Sequence, residues 1–593
     1  MLLVLLTLAT TATAEPWNPT RAKFLQKSIV QNQPERTETI MQLTGNFPSW
    51  LSGSYFRNGP GSFDTMDGAQ HVNSVFDGYS QIQKFTINGS TQTVTHTSKF
   101  VETARRQTLD QRGDMSYQGK IMFGTTPKRK ENMLNVFNLG GEVSVNLFNV
   151  GGDHLLAVGE LPYGQEINPD TLETIHGSDK KGGIHGDFFH YNDSISEMGV
   201  GCAHALTLPD TGDSYTRLAI IDMKSMATHT DYQIARIKKG TTTREVVATV
   251  KKLDAQITYA HSFAMANASL AVLPFWALGM TKIGAMTSDN LHPSMRWMPQ
   301  HGTNLTVLNL ETGESIQFIC NETFFAFHIT NSFVDSVNGD IVLDVVTYAD
   351  DSLFLQMFLN SWRNGSAIDD TSLVGTLKRV VIPYQTAFER KKQLKEVWYS
   401  KSFLGASPPS SESDGEKGGQ PTLLSSFQAN ISLLSEILIE GPRINDDYLT
   451  KPDLKSIYAW TSTRPKNIPN ALVKINLPKP TTTSIISSFE EDVHKKEKPL
   501  MWKNAGDEFA VYIGEPVFIS APHATAEDDG IVIAAGVMVN TAERTNISDV
   551  DSDMELSSFL LFLNGSTMVE IGRAVLKNVT LPFAFHTQFY SSD

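Results

Sequence analysis

Short apolar or aromatic runs, separated by glycine and asparagine, recur along the whole chain of 593 residues. Runs of this length and composition, bounded by turn-forming residues, are typical of β-strands. The clearest are residues 81–86, 92–97, 143–150, 218–222, 305–310, 339–348, 531–539 and 558–563. The rhythm predicts an all-β fold, a class in which one domain can run to this length.

A few stretches depart from the strand rhythm. Residues 352–362 carry apolar side chains at steps of three and four, which predicts a helix. These side chains are Phe354, Leu355, Phe358, Leu359 and Trp362. Residues 17–33 are polar and are expected to be extended. Residues 406–420 are rich in serine, proline, glycine and charge, which predicts a flexible surface insertion.

One apolar stretch, residues 271–280, contains no charge. It is too short to cross a bilayer, and Pro274 interrupts any regular helix. Two interpretations remain open. The stretch is either buried core or an exposed apolar patch that contacts a membrane surface or a lipid particle.

The net charge of the chain bears on which classes of partner it can bind. Its 49 basic and 64 acidic residues give a net charge of -15. There is no basic stripe of the kind that binds phosphate backbones, which speaks against a nucleic-acid partner. Net charge says nothing about the fold.

The amino-terminal residues 1–14 combine an apolar run with Ala12-Thr13-Ala14, which predicts a signal peptide cleaved before Glu15. An uncleaved hydrophobic N-terminus is the alternative. We expect residues 15–593 to form a single domain of a secreted glycoprotein, because Asn-X-Ser/Thr sequons are abundant. They begin at Asn88, Asn192, Asn267, Asn304, Asn321, Asn364, Asn430, Asn546, Asn564 and Asn578. Cys202 and Cys320 could pair outside the cell or remain free thiols.

Candidate chemistry lies in histidines set within or beside apolar runs. The candidates are His185, His261, His328 and His586. Neutral imidazoles suit iron, copper, zinc or nickel, whereas magnesium and calcium prefer oxygen ligands. Any one of them alone could be an ordinary core histidine. They are too far apart in sequence for a local zinc-finger cluster, but the inner strands of a β-propeller would bring them to one central axis.

Several runs resemble the carotenoid cleavage oxygenase family, which includes the animal beta-carotene oxygenases and the retinoid isomerohydrolase. The resemblance rests on the shared order of these runs between residues 48 and 586, and no single motif decides it. The runs are Phe56-Arg57-Asn58-Gly59-Pro60-Gly61, Val75-Phe76-Asp77-Gly78, residues 167–174, Ala526-Glu527-Asp528-Asp529-Gly530 and the segments around His261, His328 and His586.

This resemblance implies a seven-bladed propeller with a helical and loop cap over the metal-bearing face. It implies ferrous iron on His185, His261, His328 and His586, with dioxygen and an apolar polyene as substrates. It also carries over three glutamates, Glu160, Glu440 and Glu515, whose carboxylates orient the imidazoles. The implied reaction is oxidative cleavage of a conjugated double bond in a carotenoid or apocarotenoid.

The chain departs from the family pattern at two places that bear on function. The family sets its first histidine in a Thr-Ala-His-Pro-like context, whereas His185 stands in Gly183-Ile184-His185-Gly186, and His190 is the alternative. The vertebrate Pro-Asp-Pro-Cys-Lys motif has only a partial counterpart at residues 124–128, which puts an isomerase role in doubt. The rival hypotheses are an isomerohydrolase and a pigment-binding protein without turnover.

Overall fold

The short strands predicted from the sequence form seven antiparallel blades arranged as a β-propeller. The computed structural model describes residues 19–115, 121–128, 142–176, 188–195, 199–220, 230–252, 256–281, 284, 288, 290–364, 373–402, 427–463, 468–478, 498–504, 511–539 and 555–592. The prediction of an all-β propeller is confirmed. The predicted signal peptide and the insertion at 406–420 lie outside these residues.

The first three blades follow one another along the chain as separate sheets. Blade I contains Gly53–Ser62, Tyr79–Asn88, Thr93–Phe100 and Arg36–Ile40. Blade II contains Asn146–Val150, His154–Val158, Gly164–Ile167 and Thr174–Ile175. Blade III contains Gly199–Val200, Leu206–Thr207, Ser214–Ile220, Thr230–Ile237 and Arg244–Lys252. Neighbouring strands pair antiparallel, as expected for hairpin-connected blades.

The next three blades share hydrogen bonds and form one continuous sheet. Blade IV contains Ala264–Asn267, Leu270–Phe275, Asn304–Asn309 and Ser315–Cys320. Blade V contains Phe325–Val334, Ile341–Tyr348, Gly375–Ile382 and the first part of Phe427–Arg443. Blade VI contains the end of that strand with Ser456–Thr461, Ala471–Asn476 and Leu500–Lys503. The long strand Phe427–Arg443 therefore joins all three blades. It pairs in parallel with the last strand of blade IV, and antiparallel with one strand of blade V and one strand of blade VI.

Both ends of the described chain close the ring. Blade VII contains Val511–Ile513, Val517–Ser520, Gly530–Val539, Leu556–Asn564 and Glu570–Leu576. Gln42–Gly45 pairs with the last of these, so an early strand completes the last blade. The C-terminal strand His586–Ser591 pairs with Gly53–Ser62 of blade I, and there Asn58 lies opposite His586. A chain end that usually frays is thus tied into the sheet.

Two small sheets and the described helices lie outside the blades. The sheets are Gln256–Thr258 with Leu278–Thr281 and Met295–Trp297, and His71–Val72 with Thr125–Thr126. The helices of more than one turn are Pro19–Ile29, Ala104–Arg112, Leu359–Asn364 and Tyr384–Ser402. Within the described ranges, none of the helices is long and apolar enough to cross a membrane.

The extended structure expected for residues 17–33 is wrong, because Pro19–Ile29 forms a helix. Leu25 and Ile29 lie four residues apart on one face of it and are fully buried. The helix packs against Leu359–Asn364. Two apolar positions are a weak periodic signal, and the helix is stabilised by this tertiary contact rather than by its own composition.

The helix predicted over 352–362 is broken in two. Leu353–Gln356 and Leu359–Asn364 flank a bridge between Phe358 and Ser74. The Ser74 hydroxyl donates to the carbonyl of Met357 at 2.7 Å, at the point where the helix would otherwise continue. We call these two helices the cap, and the cap is therefore bonded to the loop that carries the Phe-Asp-Gly motif.

The charge-free stretch 271–280 is buried in every residue. It forms Leu270–Phe275 of blade IV and Leu278–Thr281 of the small sheet. The buried-core interpretation is the one that the structure bears out for this stretch.

Candidate metal centre

Four imidazoles converge on the propeller axis, and they belong to His204, His261, His328 and His586. Nε2 of His204 lies 2.9 Å from Nε2 of His261 and 3.0 Å from that of His586. Nε2 of His586 lies 3.3 Å from that of His261 and 3.4 Å from that of His328. One ligand atom from each residue lies within 4.8 Å of all the others.

The four histidines come from different blades and different local structures. His328 lies in Phe325–Val334, where the strand register shifts between Ala326 and Ile329. His586 begins the C-terminal strand His586–Ser591. His204 and His261 lie in loops just before Leu206–Thr207 and Ala264–Asn267. Loop or bulged backbone thus carries His204, His261 and His328, whereas His586 starts a strand of regular register.

The first histidine of the set is the residue that sequence reasoning missed. The structure brings together the predicted His261, His328 and His586, and His204 occupies the fourth position. His185 lies outside the described residues, and the alternative His190 is exposed and outside the cluster. The available signal was Ala203-His204, which matches Ala260-His261 and the Ala-His of the family context.

Each of the three predicted glutamates is bonded to one imidazole. Nδ1 of His261 contacts Oε1 of Glu160, and Nδ1 of His328 contacts Oε1 of Glu440. Nδ1 of His586 lies 3.0 Å from Oε1 of Glu515. An ionised carboxylate can only accept, so each Nδ1 carries the proton and donates it. Each Nε2 consequently presents a bare lone pair to the axis.

The carboxylates are themselves held by further donors. The Tyr259 hydroxyl donates to Glu160 Oε1 at 3.2 Å, and the Tyr348 hydroxyl donates to Glu440 Oε2. Glu515 Oε2 accepts from Thr587 N at 2.7 Å and from Thr587 Oγ1 at 2.9 Å, with Arg443 Nη1 at 3.4 Å. These bonds fix the carboxylates and, through them, the ring orientations.

Burial and charge move the pKa values of these groups in opposite directions. Burial lowers the pKa of His586 to about 4, against the effect of Glu515. Burial also holds the pKa of His204 well below its usual range, helped by the neighbouring imidazoles. Burial would raise the pKa of Glu515, but His586 and Arg443 lower it to about 2. For His204, His586 and Glu515 these directions give neutral imidazoles beside an ionised carboxylate, the protonation states that a metal site requires. At His328 burial is outweighed by Glu440, and the pKa is raised.

The geometry fits a transition-metal ion. Four lone pairs aimed at one another repel unless a cation lies between them. A metal–imidazole bond of about 2.1 Å, at angles between 90° and tetrahedral, places neighbouring nitrogens about 3.0 to 3.4 Å apart. Four of the six separations, 2.9 to 3.4 Å, are close to that range, and all six lie within 4.8 Å. An all-nitrogen set favours iron, copper, zinc or nickel.

An apolar cavity opens on one side of the four histidines. His261, His328 and His586 line it together with apolar side chains of the blades and the cap. The main apolar contributors are Phe76, Phe327, Leu353, Met357, Leu373, Phe583 and Phe585. Phe76 stacks on Phe585 at 5.0 Å and on Phe123 at 5.9 Å. Its lining is suited to contact with a hydrocarbon chain beside the four histidines.

The two motifs nearest the N-terminus hold parts of this site. A side chain at Gly59 would overlap Phe583 O and Ala584 Cα, so only glycine lets the segment before His586 pass. Asp77 accepts from the backbone N–H groups of Met122 and Phe123 at 2.7 Å and of Gly124 at 3.0 Å. Asp77 thereby fixes Phe123 beside Phe76.

Cys202 and Cys320 are both buried free thiols, so the open question of their pairing is answered against a disulfide. Cys202 Sγ donates to the His261 carbonyl at 3.0 Å. Burial raises the pKa of the Cys202 thiol to about 12, and nearby Glu160 adds to the effect. The thiol therefore stays protonated and bonds the two loops that carry His204 and His261.

Residues 29–591 match the family described as retinal pigment epithelial membrane protein. The chain belongs to this family, and the resemblance seen in the sequence is confirmed. It is 25% identical over 585 residues to the chloroplastic carotenoid cleavage dioxygenase 8 of Arabidopsis thaliana, covering 95% of this chain and 85% of that protein. It is 24% identical to the beta,beta-carotene 15,15'-dioxygenase of Gallus gallus, covering 94% and 97%.

Solved structures of similar fold include forms of the Synechocystis apocarotenoid oxygenase. One variant of that enzyme superposes with a TM-score of 0.69 at 16% identity, covering 96% of this chain and 99% of that one. A cobalt-substituted form gives 0.67 at 18% identity, with coverage of 96% and 99%. At these identities the likeness establishes the shared propeller fold.

Proposed function

We propose that this protein is a non-haem iron dioxygenase that cleaves a conjugated double bond of a carotenoid or apocarotenoid to carbonyl products. The observation that carries the proposal is the position of the four-histidine cluster at the wall of the apolar cavity. Relatives named as carotenoid dioxygenases along nearly the whole chain support the same reaction.

In this proposal His204, His261, His328 and His586 hold the metal, so His204 replaces His185 in the ligand set. Glu160, Glu440 and Glu515 keep three of the rings oriented and their Nε2 atoms deprotonated. When bound there, ferrous iron would supply the binding and activation of dioxygen, which no protein side chain can supply. The apolar cavity holds the polyene by burial and shape.

No side-chain acid or base is needed, and the described cavity wall fits this. Apart from the histidines, its ionisable side chains are Glu440 and Tyr512. Glu440 is already bonded to His328, Tyr348 and the N–H of Gly441. Burial raises the pKa of Tyr512, which keeps it protonated.

The experiment that tests the reaction uses labelled dioxygen. Ferrous enzyme incubated with a panel of carotenoids and apocarotenoids under ¹⁸O₂ should give shorter carbonyl products that carry the label, trapped before water exchanges it. A product formed from a retinyl ester without dioxygen would favour an isomerohydrolase instead. Tight pigment binding with no product from any polyene would favour a binding protein.

Iron is the metal we propose among those that imidazoles accept. Protein purified under reducing conditions should contain about one iron per chain, with zinc competing for the site in vitro. Elemental analysis of protein from its native source measures this. Stoichiometric zinc or copper with no iron would contradict the assignment.

We also propose that the protein is secreted and glycosylated. The sequon asparagines within the described ranges are exposed or half-buried, as oligosaccharide attachment requires. The mature chain should begin near Glu15, and its mobility on a gel should increase after removal of N-linked glycans. Unglycosylated protein that retains Met1 in its native source would contradict the proposal.

Contact with a membrane surface or a lipid particle would supply the apolar substrate. This contact is supported by Leu355 of the cap, an exposed apolar residue two positions after Leu353, which is buried and lines the cavity. Leu355→Glu should weaken binding to phospholipid vesicles and leave iron content unchanged. Equal vesicle binding by both proteins would contradict this contact.

A further inference from the structure

A second cavity reaches the four histidines, and its wall differs in chemistry from that of the apolar one. His204, His328 and Glu515 line its inner end. Polar side chains, including Asn146, Gln588 and Thr330, line its course. The Thr330 hydroxyl on this wall is buried and has no hydrogen-bond partner among the described atoms.

The outer rim of this polar cavity is acidic. Asp446 and Asp447 both line it and are exposed, and the side chain of Asp446 is 78% exposed. Arg443 is the basic side chain on the described wall, and its Nη1 donates to the Thr587 carbonyl at 2.7 Å, which keeps it at the wall. With Glu515, three carboxylates face one guanidinium, so the cavity is negative overall.

The free energy needed to move a hydrated cation to the histidines therefore differs between the two cavities. Passage along Phe327, Phe583 and Leu373 would strip water from a divalent ion without replacing it, which is prohibitive. The wall of the polar cavity mixes apolar side chains such as Phe148 and Ile329 with polar ones, so it offers oxygen atoms that the apolar cavity lacks, and its acidic rim concentrates cations.

We propose that the metal ion reaches the four histidines through the polar cavity, attracted by Asp446 and Asp447, while the polyene uses the apolar cavity. This inference rests on the proposed metal centre. Separate routes mean that bound polyene does not block metal loading, and that metal loading requires no opening of the apolar cap.

The test is the rate at which apoprotein, prepared with a chelator, takes up Co²⁺, followed by visible absorbance after rapid mixing. Asp446→Asn combined with Asp447→Asn should load roughly tenfold more slowly at low ionic strength, because electrostatic steering is lost. The difference should shrink as salt is added. The final cobalt content should remain one per chain, since neither residue contacts the histidines.

A matched control removes two exposed carboxylates elsewhere. Glu389→Gln combined with Glu555→Gln carries the same change in net charge and should load at the wild-type rate. Equal loading rates for the two double variants would overturn the proposal. Wild-type protein that takes up no cobalt would refute the metal centre itself, which is a different failure.

Two tryptophan substitutions separate the routes sterically. Thr207→Trp places a bulky ring at the polar cavity and should slow both cobalt uptake and removal of cobalt from loaded protein by a chelator. Met357→Trp narrows the apolar cavity and should change neither rate, although it should weaken polyene binding. The removal rate is measured on loaded protein, so it does not depend on the stability of the apoprotein. Slower loading in Met357→Trp alone would overturn the proposal.

Discussion

The four histidines fall into two kinds, three that donate to a carboxylate and one that does not. His261, His328 and His586 each pair with a glutamate, whereas within the described structure no carboxylate is bonded to His204. The three carboxylates offset the positive charge of a divalent ion and of the Arg443 guanidinium, and the buried Arg217 guanidinium acts on Glu160 as well. The compensating carboxylates are therefore placed on three of the four ligands.

The largest effect that tests this comparison is loss of the metal. Single His204→Ala, His261→Ala, His328→Ala and His586→Ala variants should each lose most of their bound iron, because each removes one of four nitrogen ligands. Elemental analysis of protein purified in parallel measures it. His190→Ala and His185→Ala are the controls and should retain iron.

Two results would contradict this ligand set. Full iron retention in His204→Ala, with loss in His185→Ala, would return the first position to His185. Full retention in His261→Ala, His328→Ala and His586→Ala together would remove the whole assignment.

His204 shows where sequence reasoning stopped. Three ligands and all three glutamates could be predicted because each stands in an apolar or strand-like run that resembles the family. His204 stands in Cys202-Ala203-His204-Ala205, a loop with neither the threonine nor the proline of the family context. Loop lengths vary, and only the fold shows which imidazole reaches the axis.

The same limit applies to contacts between distant elements. The all-β class followed from the strand rhythm, since alternation and turn residues are local signals. The helix Pro19–Ile29 did not, because its burial depends on Leu359–Asn364, more than three hundred residues further along the chain. The bond from Arg443 to Glu515 and the polar cavity around it also arise only when blades VI, VII and I meet.

A smaller effect concerns the dependence of stability on pH in the metal-free protein. The pKa of Glu515 is about 2, below its ordinary value of 4.5, so its ionised form stabilises the folded state. This stabilisation is complete above pH 4.5 and is lost as the pH falls through 2. Its upper limit is on the order of 3 kcal/mol.

This stabilisation is measured by chemical denaturation of the metal-free wild type and the metal-free Glu515→Gln variant at several pH values. The wild type should be the more stable at pH 5 to 6, and the difference in the free energy of unfolding should shrink below pH 4.5. A difference that stays constant down to pH 2 would mean that Glu515 stabilises through packing rather than charge.

Glu160→Gln, Glu440→Gln and Glu515→Gln should each weaken metal binding roughly 10-fold to 100-fold, because an amide orients the ring less strongly and adds no charge. Competition with a chromophoric chelator measures the affinity. Since His204 has no such carboxylate, its position has no equivalent variant. Wild-type affinity in all three variants would mean that the carboxylates do not distinguish the two kinds of histidine.

The smallest effect separates the carboxylates by what holds them in place. Tyr348→Phe removes the hydroxyl that donates to Glu440, and Tyr259→Phe removes the one that donates to Glu160. A single hydrogen bond contributes about 0.5 to 1.5 kcal/mol net, and only part of it reaches the metal, so affinity should fall roughly twofold to fivefold. Tyr55→Phe is a matched control, because that hydroxyl donates to the Glu515 main-chain carbonyl rather than to a carboxylate. A loss in Tyr348→Phe as large as in Glu440→Gln would mean that Glu440 orients His328 only while the tyrosine is bonded.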